Sequence, residues 1–238
     1  MQHYAVSDRG CRRERNEDAF WVSDRIRCFV VADGMGGHAG GQRASRLAVS
    51  IIEKVVHDHL DEVELEQYPQ LLGDSIRTAS KQIYRESQDK TELRGMGTTV
   101  TALLLKNGRA TIAHVGDSRA YLIRSGEIQQ LTEDHSLVQE QCRAGFLTPD
   151  QAKSSRYRNI ITRSVGFEDD VDVDMTSLDA LEGDVFLLCT DGLNTLVEDE
   201  EILQALQTVE PHNASQHLVD LANSRGGHDN TTIVLVYV

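Results

Sequence analysis

The residues best placed for chemistry in this 238-residue sequence are aspartates at the ends of apolar runs. "FVVADG" leads to Asp33, "FLLCTDG" to Asp191 and "ATIAHVGDS" to Asp117, and Asp229 in "GGHDNTT" stands just before a last apolar run. One strand ending in Asp-Gly is ordinary turn chemistry, because Asp tolerates the turn and Gly supplies positive φ. The repetition carries more weight. Carboxylates at strand ends can meet at one edge of packed sheets, where like charges repel strongly unless cations neutralise them. Oxygen ligands without Cys or paired His indicate Mg²⁺ or Mn²⁺ rather than zinc. Two such ions held ~3.5–4 Å apart turn a bridging water into hydroxide near neutral pH and clamp a phosphoryl group. On this reading the glycine loop after Asp33 lets the backbone bend, so that Asp33 and the Gly34 carbonyl both reach metal.

Rival motifs fail on context. Gly34, Gly36 and Ala39 fit G-x-G-x-x-A, but the matching acid, Glu53, lies inside a helical pattern instead of ending a second strand. "DVDMT" has the D-x-D-x-T form of an aspartyl-phosphate phosphatase, yet no apolar strand feeds it. Val171, Val173 and Met175 alternate with Asp172 and Asp174, as in a half-exposed strand with its acids in water. "GDS" at 116–118 lacks the D-x-x-H that would complete a hydrolase triad, and no cysteine opens a C-x₅-R phosphate loop.

The elements that must hold these acids follow from periodicity. Apolar, β-rich runs occur at 26–32, 99–105, 110–115, 119–123, 185–190 and 231–238. "GRATIAHVGDSRAYLIRSGEIQQL" alternates strand and turn, which implies antiparallel neighbours. Amphipathic helices are expected at 41–60, from about Pro69 through Ile83, and at 198–207 and 212–224. This order fits antiparallel sheets covered by helices better than a doubly wound parallel sheet. Residues 135–170 are polar and read as a small helical excursion, where substrate-contacting elements often sit.

Composition narrows the function classes. The net charge of −14 argues against a nucleic-acid binder, and most of the acid excess reads as solvated surface. The four cysteines are scattered, with Cys28 and Cys189 in apolar runs as buried thiols, so neither a disulfide framework nor a zinc ribbon is expected. The first residues lack a signal-peptide core and no apolar run reaches membrane-spanning length, which makes the cytoplasm the expected compartment.

The segments "RRERNEDAF", "VVADGMGGHAGG", "GMGTTV", "HVGDSRAYL", "CTDGL" and "GGHDNTT" together resemble a bacterial metal-dependent Ser/Thr phosphatase of the protein phosphatase 2C family. The resemblance spans nearly the whole chain. It implies an α+β fold: one domain over 1–238, a four-layer α-β-β-α sandwich of two antiparallel sheets flanked by helices, with a small flap at about 135–170. It implies two tightly bound Mn²⁺ or Mg²⁺ ions and a third, weaker one. Asp33 would bridge the first two ions, the Gly34 carbonyl would bind one, and Asp191 and Asp229 the other. Asp117 would join Asp191 at the third. Glu17 and Asp18 would hold metal-bound water, and Arg13 would bind phosphate, its fork suiting a dianion. Arg12 and Arg15 are near competitors read as surface charges. His38 is the nearest candidate for general acid, where some members carry a His directly after the Asp-Gly and this chain has Met35. His114 reads as a core residue, His228 as a possible support for Asp229, and His135 has no clear role. The reaction implied is hydrolysis of phosphoserine or phosphothreonine by a metal-bridging hydroxide, without a phosphoenzyme. Substrates would be phosphoproteins, targets of a Ser/Thr kinase, with a monomer acting on them. A silent phosphoprotein-binding module and a hydrolase of small phosphate esters are the alternatives.

Overall fold

Apolar side chains point to both faces of the central strands, and this sets the layering. The computed structural model describes residues 1–36 and 40–238. In strand β3 (Cys28–Ala32), Cys28, Val30 and Ala32 pack toward one layer and Phe29 and Val31 toward another, all fully buried. A two-residue period of this kind, apolar in both phases, requires cover on both sides.

One five-stranded sheet supplies part of that cover, in the order β1 (Gln2–Asp8), β12 (Thr231–Tyr237), β11 (Val185–Cys189), β8 (Arg119–Arg124), β9 (Glu127–Gln130). The other runs β10 (Asp174–Asp179), β7 (Arg109–Val115), β6 (Val100–Lys106), β3, β2 (Ala19–Ser23), and every pairing in both is antiparallel. Phe29, Leu103, Ile112, Leu122, Phe186, Leu188 and Val234 fill the space between the sheets. Helices α1 (Gly40–His59) and α2 (Tyr68–Asp89) cover the β3 sheet with Ala48, Ile52, Leu72, Ile76 and Ile83. After the flap helices α3 (Leu137–Arg143) and α4 (Pro149–Lys153) and a single turn, α5 (Asp191–Asn194), come α6 (Asp199–Thr208) and α7 (Pro211–Ser224). These two cover the β12 sheet through Ile202, Leu218, Val219 and Ala222. The four layers expected from the sequence are therefore present, and α2 begins at Tyr68 with Pro69 in its first turn.

Strand direction brings the acids together. β3 and β7 each pair antiparallel with β6, so both end at the same edge, delivering Asp33 and Asp117. β2 starts at that edge, directly after Asp18. The short 116–118 turn crosses to β8, against which β11 ends and places Asp191 beside it, and β12 begins there after Asp229.

Three expectations change. β1 and β2 carried too weak a pattern to be found. The strand expected around 171–175 begins at Asp174, and Asp174 is not simply in water: it accepts from His135 at 3.1 Å and Arg163 at 2.5 Å. Among the described residues, no helix is long and apolar enough to cross a membrane.

Candidate active site

Backbone groups fix the acids before their side chains act. The Asp33 N–H donates to the Thr99 hydroxyl at 2.9 Å, and the Asp33 carbonyl accepts from the Thr99 N–H at 2.9 Å and the Thr98 hydroxyl at 2.8 Å. "GTT" thus clamps the end of β3. Gly34 and Gly192 serve close approach. Neither Gly34 nor Gly192 has positive φ, but a Cβ on Gly34 would lie 2.1 Å from the Gly41 carbonyl oxygen, and one on Gly192 would lie 2.0 Å from that of Asn230. Beside the bend expected of the bare loop, in which Gly36 has φ +132°, a second demand appears: α1 starts so near β4 (Gly34–Met35), which pairs with β5 (Gly97–Thr98), that no side chain fits between.

Asn230 anchors the arginine-rich loop. Its side-chain oxygen accepts from the Glu17 N–H at 2.8 Å, and its amide donates to the carbonyls of Arg9 and Arg15, both at 2.9 Å. The N–H groups of Cys11 and Arg12 donate to the Gly227 carbonyl. Thus held, the loop lays Arg13 against Asp229, with Nη2 2.6 Å from Oδ2. Asp229 also caps its own neighbour, accepting from the Asn230 N–H at 2.8 Å. Arg12 and Arg15 are exposed. His228 is exposed too, and the hydrogen bonds of Asp229 come from Arg13 and Asn230 rather than from it, so the support expected of His228 is not seen.

Asp18 is buried, with one oxygen accepting from the hydroxyls of Thr190 at 2.9 Å and Thr232 at 2.7 Å. Its other oxygen has no partner among the described residues, and neither does Oδ1 of Asp191. Burial, then the charge of its neighbours, pushes each of Asp18, Asp33, Asp117 and Asp191 above the usual carboxylate range. Asp33 feels Asp18, Asp191, Asp117 and Asp229 together. Glu17, half-buried, is also raised, by burial above all and by Asp229, with Arg13 opposing.

Divalent cations suit this donor set. It is all oxygen, its members repel one another, and two buried oxygens lack any donor. Among the described residues no trio of Asp, Glu, His or Cys is already arranged as a metal cage, and Arg13 holds Asp229.

The chain as a whole matches known proteins. The family profile described as "Protein phosphatase 2C" matches residues 11–223. The chain belongs to the protein phosphatase 2C family. The serine/threonine protein phosphatase PstP of Mycobacterium tuberculosis is 39% identical over 240 residues, covering 100% of this chain, which spans only 45% of that protein's length. The serine/threonine phosphatase Stp of Listeria monocytogenes is 38% identical over 236 residues, covering 97% of this chain and 93% of the relative. A crystal structure of the PstP catalytic domain in complex with two manganese ions superposes with a TM-score of 0.88 at 37% identity, covering 98% of this chain and 96% of that one.

Within this protein phosphatase 2C fold the sequence reading found the acids and missed their holders. Thr98, Thr99, Thr190, Asn230 and Thr232 all lie inside the quoted segments, but hydroxyl and amide side chains in a strand pattern give no signal of which backbone they will clamp. His38 falls in 37–39, outside the described residues. His114 is a core residue as expected, bonded to the Thr101 hydroxyl at 3.0 Å and the Glu133 carbonyl at 3.1 Å.

Proposed function

We propose that the chain is a metal-dependent protein serine/threonine phosphatase, acting as one catalytic unit over 1–238 with a flap at about 135–170. One observation supports this most: five aspartates from both sheets meet at one edge, two with a donorless buried oxygen, beside an exposed arginine. When bound, two Mn²⁺ or Mg²⁺ ions supply water activation and neutralise charge on a phosphoryl group. Asp33, with the Gly34 carbonyl, Asp191 and Asp229 are the residues to hold them, and Asp117 with Asp191 a third, weaker ion. Glu17 and the Thr-held Asp18 orient water around the site.

Arg13 has the substrate role. Its guanidinium, 48% exposed, trades Asp229 for the phosphate dianion, whose planar pairs of oxygens match its fork. A proton must reach the leaving serine or threonine alkoxide, and His38 is the candidate donor. The substrates are phosphoproteins, the targets of a Ser/Thr kinase, and the enzyme works as a monomer in the cytoplasm. Four cysteines without disulfide partners suit a reducing compartment.

The test is hydrolysis of a phosphothreonine peptide and of p-nitrophenyl phosphate, with Mn²⁺ and with EDTA. Turnover of both, lost in EDTA, is expected. Turnover of small esters alone would leave a small-phosphate hydrolase, and turnover of neither a binding module. Asp191→Asn should cut kcat by about 10³ or more while the far-ultraviolet spectrum stays the same. Unchanged Mn²⁺ binding in that variant would remove the assignment.

A further inference from the structure

His135 had no assigned role in the sequence, and its surroundings give it one. Asp117 lies in the turn between β7 and β8, directly after Gly116. That glycine has φ +113°, and a Cβ on it would meet the Thr99 side chain at 2.5 Å, so the turn has little freedom to adjust. Two hydrogen bonds from one residue hold it: the His135 N–H donates to the Gly116 carbonyl at 2.7 Å, and the Gly116 N–H donates to His135 Nδ1 at 3.0 Å.

A ring nitrogen that accepts cannot carry the proton. The neutral ring therefore bears its hydrogen on Nε2, which donates to Asp174 at 3.1 Å. Burial, with Arg163 nearby, keeps the imidazole below its ordinary pKa against the pull of Asp174, in keeping with that neutral form. Asp174 opens β10, just beyond the flap, and its second oxygen takes Arg163 Nη1 at 2.5 Å. The backbone of His135 also closes the flap at its base, where its carbonyl accepts from the Thr162 N–H at 2.9 Å. One residue thus touches the Asp117 turn, the far end of the flap and the strand that follows it.

We propose that His135 is a positioning residue, whose imidazole, bridging the Gly116 N–H and Asp174, ties the placement of the flap to that of Asp117. It touches neither substrate nor metal. It acts by fixing the turn from which Asp117 projects, and Asp174 with Arg163 fixes the ring. The inference rests on the reading above that Asp117 holds the weaker cation.

The experiment uses the full chain and four variants. His135→Asn keeps an acceptor for the Gly116 N–H and loses the reach to Asp174. His135→Gln keeps the reach and gives up the acceptor position. Asp174→Ala, at a side chain half exposed, removes the acceptor and breaks the bridge from the other end without emptying the interior. Asp117→Ala is the control. Two readouts serve: Mn²⁺ titration by calorimetry, and amide hydrogen exchange of the metal-free proteins across 114–118 and 136–163. Loss of the weaker binding class in Asp117→Ala is expected. The other three variants should weaken that class by about tenfold, as partners of metal-site residues commonly do. They should also quicken exchange in both segments at once, and tight Mn²⁺ binding should stay unchanged.

If Asp117→Ala keeps the weaker class, the cation reading itself fails. If that control loses it while Asp174→Ala and the His135 variants match the wild type in binding and exchange, the positioning role is wrong. A His135 variant that unfolds or loses every metal class alike, next to an unaffected Asp174→Ala, would also overturn it, because the ring would then be mere packing.

Discussion

At the scale of single residues, burial and charge oppose each other differently at different places in this molecule. His114 is 1% exposed, and burial, aided by His135, lowers its pKa to about 4. Its folded value is thus below the ordinary 6.5, and the native chain binds fewer protons than the unfolded one between those limits. The stability it contributes is complete above about pH 6.5 and is lost as the pH falls through about 4, on the order of 3 kcal/mol in all. Comparing the wild type with His114→Gln isolates this residue from the site acids, whose raised pKa values act in the opposite sense. The expected outcome is that the wild-type Tm drops faster than the variant's from pH 7 to 4.5, and parallel curves would refute it.

Secondary-structure elements show what the sequence could and could not reveal. The central strands β3, β6, β7, β11 and β12 announce themselves because both faces are buried, and the acids at their ends were found with them. β1 and β2 are sheet edges, largely half-buried, and "QHYAVSD" and "AFWVS" bear no clean alternation. β10 is an edge as well, and its mixture of Asp, Thr and Ser hid where it starts. An edge strand buries less apolar surface, so selection on its side chains writes a fainter pattern. The glycines are legible only in part, for a related reason. A sequence displays that Gly34 and Gly192 lack side chains, but the carbonyls of Gly41 and Asn230 that demand it come from elsewhere in the chain. Gly192→Ala follows from this geometry. The new methyl would stand 2.0 Å from the Asn230 carbonyl and force β12 away from α5, so a loss of about 1–3 kcal/mol is expected by urea denaturation. Weaker Mn²⁺ binding should accompany it, since the shifted backbone carries Asp191 on one side and Asp229 on the other. A variant with wild-type stability would mean that the two segments are looser than their contact implies.

For the molecule as a whole, the acidic edge is a local weakness in a well-packed sandwich. Burial first, and then neighbouring carboxylates, hold Asp18, Asp33, Asp117 and Asp191 above the usual carboxylate range, so each costs the folded chain stability when ionised. Cations that bind this edge only in the folded chain should stabilise it by mass action, about 2.7 kcal/mol at a hundredfold excess over Kd. For a chain of this size that corresponds to a Tm rise of roughly 5–10 °C with Mn²⁺, reversed by EDTA. Sodium chloride at equal ionic strength should do far less, because screening reaches buried charges poorly. An equal rise with sodium would show that general charge neutralisation, not ligation, is at work.

Asn230 reaches back 213 residues to the Glu17 backbone, and β1 lies along β12 over its full length. The acidic edge is therefore incomplete until β12 is in place, however well the other sheet has formed. Contacts between residues so distant in order form late in folding. The arginine loop can close only when the segment around Asn230 and β12 docks, so the assembled edge should appear in one late step of folding, without a partly assembled intermediate.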